Sequence, residues 1–202
     1  MSVIGPGADL DGDVLDRVDL SGVRAPDVSM VDCELTGCVL DGAVLDGLRL
    51  VDTTIAEASG SVLRSLGGVW RDSEWRGCRF GALDASSAKL TRVEFVDCKI
   101  DLLNLAGADL TDVTLTRVRI GELALGDASG KGVKLVDCTV GVLELHNTRI
   151  DPLDISGSTL TDEVRGLNGL RGVVLSERQC LDLAPAMARF LGARLEGDRR
   201  RR

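Results

Sequence analysis

The stretch AKLTRVEFVDCKIDLLNLAGADLTDVTLTRVRI, residues 88–120, decides the fold. Every fifth residue in it is large and apolar, and the residue two places earlier is mostly small or β-branched; the fifth-position residues are Leu90, Phe95, Ile100, Leu105, Leu110, Leu115 and Ile120. A period of five matches neither the period of about 3.6 residues of an α-helix nor the period of about two of a β-strand. The stretch is therefore an internal repeat, which has to be identified before any single element.

The same frame extends from Leu10 to Leu160. It contains 31 fifth-position residues, which we call centres, and 26 of them are Leu, Ile, Val, Met, Phe or Trp. We expect each centre and the residue two before it to point inward, and the other three to face solvent. The position two after the centre often holds Gly, Asp or Asn, which are turn residues.

A second, longer period lies on the first and repeats at every fourth pentad. The pentads GALDA (81–85), DLLNL (101–105), GELAL (121–125) and GVLEL (141–145) align, so Leu63, Leu83, Leu103, Leu123 and Leu143 form one file. This predicts a coil with four five-residue sides, stacked on its neighbours by main-chain hydrogen bonds. The centres give about eight coils, and a rise of about 4.8 Å per coil gives a rod of about 37 Å.

The cysteines obey the same four-pentad spacing. Cys38, Cys78, Cys98 and Cys138 would stack at one small inward position, so we expect buried hydrophobic residues. A zinc site would need a cluster of ligands, which the sequence lacks. Parallel Cβ vectors disfavour a disulfide between stacked cysteines. We expect no metal and no cofactor.

Pentads such as ADLDG (8–12), VDLSG (18–22) and ADLTD (108–112) resemble those of the pentapeptide-repeat family. The resemblance covers residues 8 to about 162. It implies an all-β solenoid, a right-handed quadrilateral β-helix of about eight coils. We expect this β-helix over residues 1–165 and a C-terminal cap with a basic tail over 166–202.

One coil is predicted to be irregular. The centres Gly60 and Ser65 are small, Gly67 and Gly68 follow, and Trp70 and Trp75 are the next two centres. Either the indoles fill core space that the small residues leave, or the chain kinks or bulges here to bind a partner.

The frame fades after Leu160, and a helix is predicted at about 176–192. Ser176 and Gln179 form a capping-box pattern, whereas Pro185 should break the helix or begin a second short one. Apolar residues of this segment are expected to cap the last coil and to form a homodimer: Leu181, Leu183, Met187, Phe190 and Leu191. The family resemblance supports this, since its quinolone-resistance members dimerise through their C-terminal region. The final GDRRRR is expected to be a disordered tail.

The chemistry of the sequence argues against an enzyme. His146 is the only histidine, and no nucleotide-binding motif is present. No apolar run of about 18 residues predicts a membrane span, and the first residues do not resemble a signal peptide, so a cytoplasmic protein is expected. A net charge of -8 disfavours direct nucleic-acid binding and favours a protein partner with a cationic surface.

The acidic charge is concentrated near the N-terminus. Residues 1–63 carry 12 acids and 3 bases, or about one net negative charge per 1.6 Å of rod, close to the value of about 1.7 Å for duplex DNA. Asp32, Asp52, Asp72 and Asp112 occupy one outward file that Arg92 interrupts, whereas Arg79, Lys99 and Arg119 form a basic file. The acidic file either makes turns or is a carboxylate ladder for a cationic partner.

Two functions follow as hypotheses. The family resemblance implies a DNA mimic that binds DNA gyrase or topoisomerase IV and protects or modulates it. The alternative is a generic protein–protein interaction scaffold of unknown partner.

Overall fold

The computed structural model describes residues 4–194, which form a stack of short parallel β-strands followed by one α-helix. The strands are Asp9–Asp11, Val14–Asp16, Ser29–Val31, Glu34–Thr36, Ala43–Val44, Arg49–Val51, Thr54–Ala56, Ser59–Arg64, Val69–Arg76, Arg79–Asp84, Lys89–Val96, Lys99–Asn104, Asp109–Thr111, Thr114–Thr116, Arg119–Ala124, Ser129–Lys131, Val133–Glu144, Arg149–Ile150, Leu153–Arg165 and Val173–Val174. A 3-10 turn spans Leu167–Leu170, and helix α1 spans Glu177–Phe190.

Each strand pairs with the strand that lies four pentads further along the chain. Leu90, for example, lies beside Trp70 on one side and Leu110 on the other. The corners are joined in the same way, as where the Ser87 N–H donates to the Ala106 carbonyl at 2.8 Å. This register confirms the predicted four-sided solenoid of about eight coils.

The interior consists of the centres and the residues two before them. The leucine file from Leu63 to Leu143 is buried and in register throughout. Leu90 and its partner Ala88 are likewise buried, whereas Lys89 between them is exposed. The fivefold pattern therefore sorts interior from surface as predicted.

Most corners are formed by the residue two after the centre, in the left-handed conformation with φ between 50° and 72°. One column departs from this in the later coils, where the corner is part of a continuous strand; its members are Val62, Ala82, Leu102, Glu122 and Val142. In two earlier coils the same column holds Gly22 and Gly42, with φ of 67° and 65°. β-Branched and bulky residues avoid positive φ, which favours the extended corner at Val62, Leu102 and Val142.

The coil around residues 60–68 is regular, so the predicted irregularity is wrong. Ser59–Arg64 pairs with its neighbour without a shift. The space-filling explanation is confirmed by the ring contacts, because Trp70 and Trp75 are buried with centroids 5.0 Å apart, and Trp75 stacks on Phe95 at 5.9 Å. A Cβ on Gly68 would lie 2.9 Å from Trp70 Nε1, so the glycine makes room for the indole.

The fading of the repeat after Leu160 has a structural cause. Leu160 still pairs with Val140, as the four-pentad repeat requires, but the partner of Val142 is Glu163 rather than Asp162. One extra residue enters the edge strand here as a β-bulge. The core is then covered by Leu170, Val173 and Leu175 rather than by apolar residues of the helix.

Helix α1 begins as predicted but does not break. Ser176 and Gln179 form the capping box, and the helix continues through Pro185 to Phe190, so the break predicted at Pro185 is wrong. Proline removes the N–H that would bond to the carbonyl of Leu181. Leu181 is 75% exposed, so the turn that lacks this bond lies on the solvent side of the helix. The basic tail GDRRRR lies outside the described residues.

The four stacked cysteines are buried free thiols that make the same contact. Each Sγ donates to the main-chain carbonyl of a centre in the previous coil, 23 residues earlier in the chain. Cys98 Sγ, for example, lies 3.3 Å from the carbonyl oxygen of Trp75. Burial raises the pKa of the Cys38 and Cys138 thiols, which makes them poor nucleophiles. Cys33 is buried as well, whereas Cys180 on helix α1 is exposed.

We expect a thiol reagent to label one cysteine in the folded protein and six after denaturation. Thiol titration with and without denaturant, followed by peptide mapping, measures this. Cys180→Ser should abolish the native reaction. Rapid native labelling of Cys78 or Cys98 would contradict this packing of the thiols.

Candidate partner-binding surface

The predicted acidic file lies at one corner of the solenoid. Asp32, Asp52, Asp72 and Asp112 have φ between 50° and 54°, and Arg92 shares their column with φ of 51°. Asp tolerates this left-handed conformation better than most residues, so these side chains have a backbone role. The turn explanation therefore accounts for the residue type, and the surroundings of each carboxylate decide whether it is also available to a partner.

The file is not a uniform carboxylate ladder. Arg92 Nη2 donates to Asp72 at 2.7 Å, and Arg71 lies 3.5 Å from the same carboxylate. The hydrogen bond from Arg92 lowers the pKa of Asp72. Asp72 is thus neutralised, whereas no cation lies within 4 Å of Asp32, Asp52 or Asp112 in the described part of the chain.

A further carboxylate, which sequence analysis missed, lies beside the acidic file. Glu34 lies on the strand after the Asp32 corner, is exposed, and accepts a weak bond of 3.3 Å from Thr36. With Asp32 and Asp52 it lines a shallow open groove of about 500 Å³. We call Asp32, Glu34 and Asp52 the acidic edge. The signal was present, because Glu34 is an outward residue one place before the centre Leu35.

The acidic edge belongs to a region with little charge compensation. Of the 12 acids in residues 1–63, only Asp16 and Asp46 have a basic side chain within 4 Å among residues 4–194. Further along, Asp97 is bonded to Arg117 at 2.7 and 2.9 Å, and that bond lowers the pKa of Asp97. The N-terminal coils therefore present mostly carboxylates without a cation. Of the 16 acids in residues 64–165, by contrast, seven have a basic side chain within 4 Å among residues 4–194.

The predicted cap and dimer residues divide into two groups. Leu181, Phe190 and Leu191 are 75%, 58% and 82% exposed, whereas Leu183 and Met187 are half-buried. The helix is attached to the last coil mainly through a polar side chain, since Gln179 Nε2 donates to the carbonyls of Ile155 and Ser158, each at 2.9 Å. Much of the apolar surface of α1 therefore has no partner within the described chain.

Other functional features are few in the described residues. His146 is exposed, and its backbone N–H donates to Glu144 at 2.7 Å. Residues 4–194 contain no group of three His, Cys, Asp or Glu side chains arranged to hold a metal ion. Nor does this part of the chain contain a helix long and apolar enough to cross a membrane.

Replacing Arg92 should change the titration of Asp72. In Arg92→Gln we expect the pKa of Asp72 to rise towards its ordinary value of 3.8, because the charged donor is lost. Carboxyl NMR titration measures this, and Arg71→Gln, which removes only a weaker Coulombic influence, should change it less. The bond stabilises the folded protein at pH values above the pKa of Asp72 in the unfolded chain. This stabilisation is lost as the pH falls through the lower pKa of Asp72 in the folded protein. An unchanged pKa in Arg92→Gln would contradict the ion pair.

No protein-family model matches the chain, and no curated protein sequence matches it significantly. Solved structures do. Full-length QnrB1, a plasmid-mediated fluoroquinolone resistance protein, aligns with a TM-score of 0.52 and 18% identity over 89% of this chain and 96% of its own. HetL, a pentapeptide repeat protein involved in heterocyst differentiation regulation in a Nostoc cyanobacterium, aligns at a TM-score of 0.37 and 17% identity over 84% and 87%. With its five-residue repeat and four-sided coils, this chain has the pentapeptide-repeat β-solenoid fold.

Proposed function

We propose that the protein is a non-enzymatic DNA mimic that binds DNA gyrase or topoisomerase IV through its N-terminal coils and modulates or protects the enzyme. The observation that carries the proposal is the set of N-terminal carboxylates without a cation within 4 Å among residues 4–194: ten of the 12 acids in residues 1–63. A surface built for DNA must be cationic, and such a surface attracts a rod of similar negative charge density. The likeness of the fold to that of QnrB1, a fluoroquinolone resistance protein, supports this choice of partner.

Magnitudes favour a binding role for these charges over a stabilising one. Two like charges on neighbouring coils, about 4.8 Å apart, repel by about 1 kcal/mol in water. Asp32 and Asp52 are such neighbours, one coil apart, and neither has a cation within 4 Å among residues 4–194. The turn requires only a residue that tolerates φ near 50°, which Asn or Gly would meet without the repulsion. The corner therefore does not by itself require a carboxylate, and a cationic partner would offset the repulsion between neighbouring ones.

The acidic edge can be neutralised with little change to the backbone. The triple variant Asp32→Asn, Glu34→Gln and Asp52→Asn keeps the side-chain shapes and the left-handed corners, so we expect the fold to be kept. Its affinity for purified gyrase should fall by about tenfold or more, with a matching loss of effect on supercoiling. Affinity is measured by surface plasmon resonance, and supercoiling by gel assay.

The matched control is Asp127→Asn, Glu94→Gln and Asp137→Asn, which removes the same charge from later coils and includes two left-handed corners. It should bind like the wild type. Arg92→Gln, which frees Asp72, should bind as tightly or more tightly. If the wild-type protein neither binds gyrase nor alters its supercoiling, the DNA-mimic proposal is wrong and the scaffold alternative remains.

We also propose a homodimer through helix α1. Leu181 and Leu191 are the most exposed apolar side chains of the segment, and a second copy would cover them. The double variant Leu181→Asp and Leu191→Asp should therefore be monomeric in analytical ultracentrifugation at concentrations where the wild type is a dimer. Val174→Asp, which changes another exposed apolar residue, is the control and should remain dimeric. A wild type that is monomeric at about 100 μM would exclude the proposed dimer.

A further inference from the structure

A second charged surface lies on a different side of the rod from the acidic edge. Arg79, Lys99 and Arg119 are exposed and occupy the same register position on three consecutive coils. No carboxylate lies within 4 Å of Arg79 or Arg119 among residues 4–194, and Lys99 lies 3.9 Å from Asp101. The side chains of that pair are 64% and 69% exposed, so solvent screens their attraction. The file keeps most of its positive charge.

The surface beside the basic file contains two glycines, and the exposed Asp101 lies between them in the same column. Gly81 and Gly121 follow the centres Phe80 and Ile120, and a Cβ on either would lie 2.5 Å from a carbonyl oxygen of the previous coil. Gly60 lies in the same part of the surface, where a depression of about 350 Å³ is lined by Arg79, Phe80, Lys99 and Asp101. Another chain can therefore approach the backbone of the solenoid closely at the glycines on either side of Asp101.

An apolar rim borders the other side of this floor. It consists of three members of the extended corner, Val62, Ala82 and Leu102. The next member of that column, Glu122, is acidic and ends the rim in the coil of Arg119. Val62 is 44% exposed, and the other two are half-buried. We call the basic file, the glycine floor and the apolar rim together the basic groove.

The dimensions of the basic groove match an α-helix. Its cations repeat about every 4.8 Å, the spacing of the coils. Side chains on one face of a helix repeat about every 5.4 Å, so over two repeats three acidic side chains move out of register with three cations by only about 1.2 Å. Side chains on one face of an extended peptide repeat about every 6.8 Å, so the same mismatch is about 4 Å. The file and the rim are three positions apart along the strand, about 10 Å, which is close to the diameter of a helix.

We propose that the basic groove binds an acidic amphipathic helix of a partner protein. The acidic stripe of that helix would lie along Arg79, Lys99 and Arg119, and its apolar stripe would contact Val62, Ala82 and Leu102. This occupant satisfies the charge and the apolar rim together, which a nucleic acid would not. The groove is separate from the acidic edge and gives the rod a second binding surface of opposite charge.

The test uses a fluorescein-labelled helical peptide of about five turns, with Glu on one stripe and Leu on the adjacent stripe, in fluorescence anisotropy. We expect saturable binding to the wild type and about tenfold weaker binding to the triple variant Arg79→Glu, Lys99→Glu and Arg119→Glu. The matched control, Lys89→Glu, Lys131→Glu and Lys134→Glu, changes the net charge equally on other faces and should bind within about twofold of the wild type. Circular dichroism shows whether each variant keeps its fold.

The apolar rim is tested separately. Leu102→Ser should weaken peptide binding, whereas Val69→Ser, which changes an exposed valine on another face, should not. A scrambled peptide of the same composition, and a single-stranded oligonucleotide of equal charge, should bind more weakly than the helical peptide. The proposal is overturned if the oligonucleotide binds more tightly, if both triple variants lose binding equally, or if the wild type shows no binding at about 1 mM peptide.

Discussion

The backbone hydrogen bond between one coil and the next is the interaction on which the rest of the structure depends. Each coil donates to its neighbours and accepts from them, so no coil satisfies its own polar backbone alone. The corners take part as well as the strands, as the bond from the Ser87 N–H to the Ala106 carbonyl shows. One consequence is that every residue of the repeat lies between its counterparts four pentads earlier and four pentads later.

This register determines which residues are neighbours, both in the core and on the surface. Inside, it stacks Leu on Leu and Cys78 on Cys98, with the thiols bonded to carbonyls of the previous coil. Outside, it stacks charge on charge, which is unfavourable for like signs and favourable for opposite ones. The middle coils contain opposite pairs such as Asp97 with Arg117, whereas the N-terminal coils keep like-charged files. Ion pairs on the surface therefore stabilise the middle coils, whereas we assign the surface of the N-terminal coils to partner binding.

Much of the fold could be predicted, because the interior is specified once in every pentad. The corners were only partly predictable. Gly and Asp marked many of the left-handed corners, and the bulky Val62 and Leu102 marked the extended one. Residue type was an incomplete signal, because Arg92 is left-handed and Ala82 is extended. The irregularity expected around Gly60 was wrong because the aromatic rings fill the core space that the small centres leave. The bulge after Leu160 had no signal beyond the loss of the repeat. The aspartates of the acidic edge were found from their shared column. Glu34 belongs to a neighbouring column and was missed, although it is an outward residue only two places after Asp32.

A comparison of two insertions tests the coil-to-coil register most directly. One variant duplicates residues 88–107, a whole coil, and the other inserts a single glycine after Gly107. Because a whole coil keeps every side chain in its file, the duplicated protein should unfold cooperatively at a temperature close to that of the wild type. The single insertion shifts all later residues by one, so it should lower the unfolding temperature strongly or abolish cooperative unfolding. Equal effects of the two insertions on thermal unfolding by circular dichroism would contradict the register as the constraint that organises the protein.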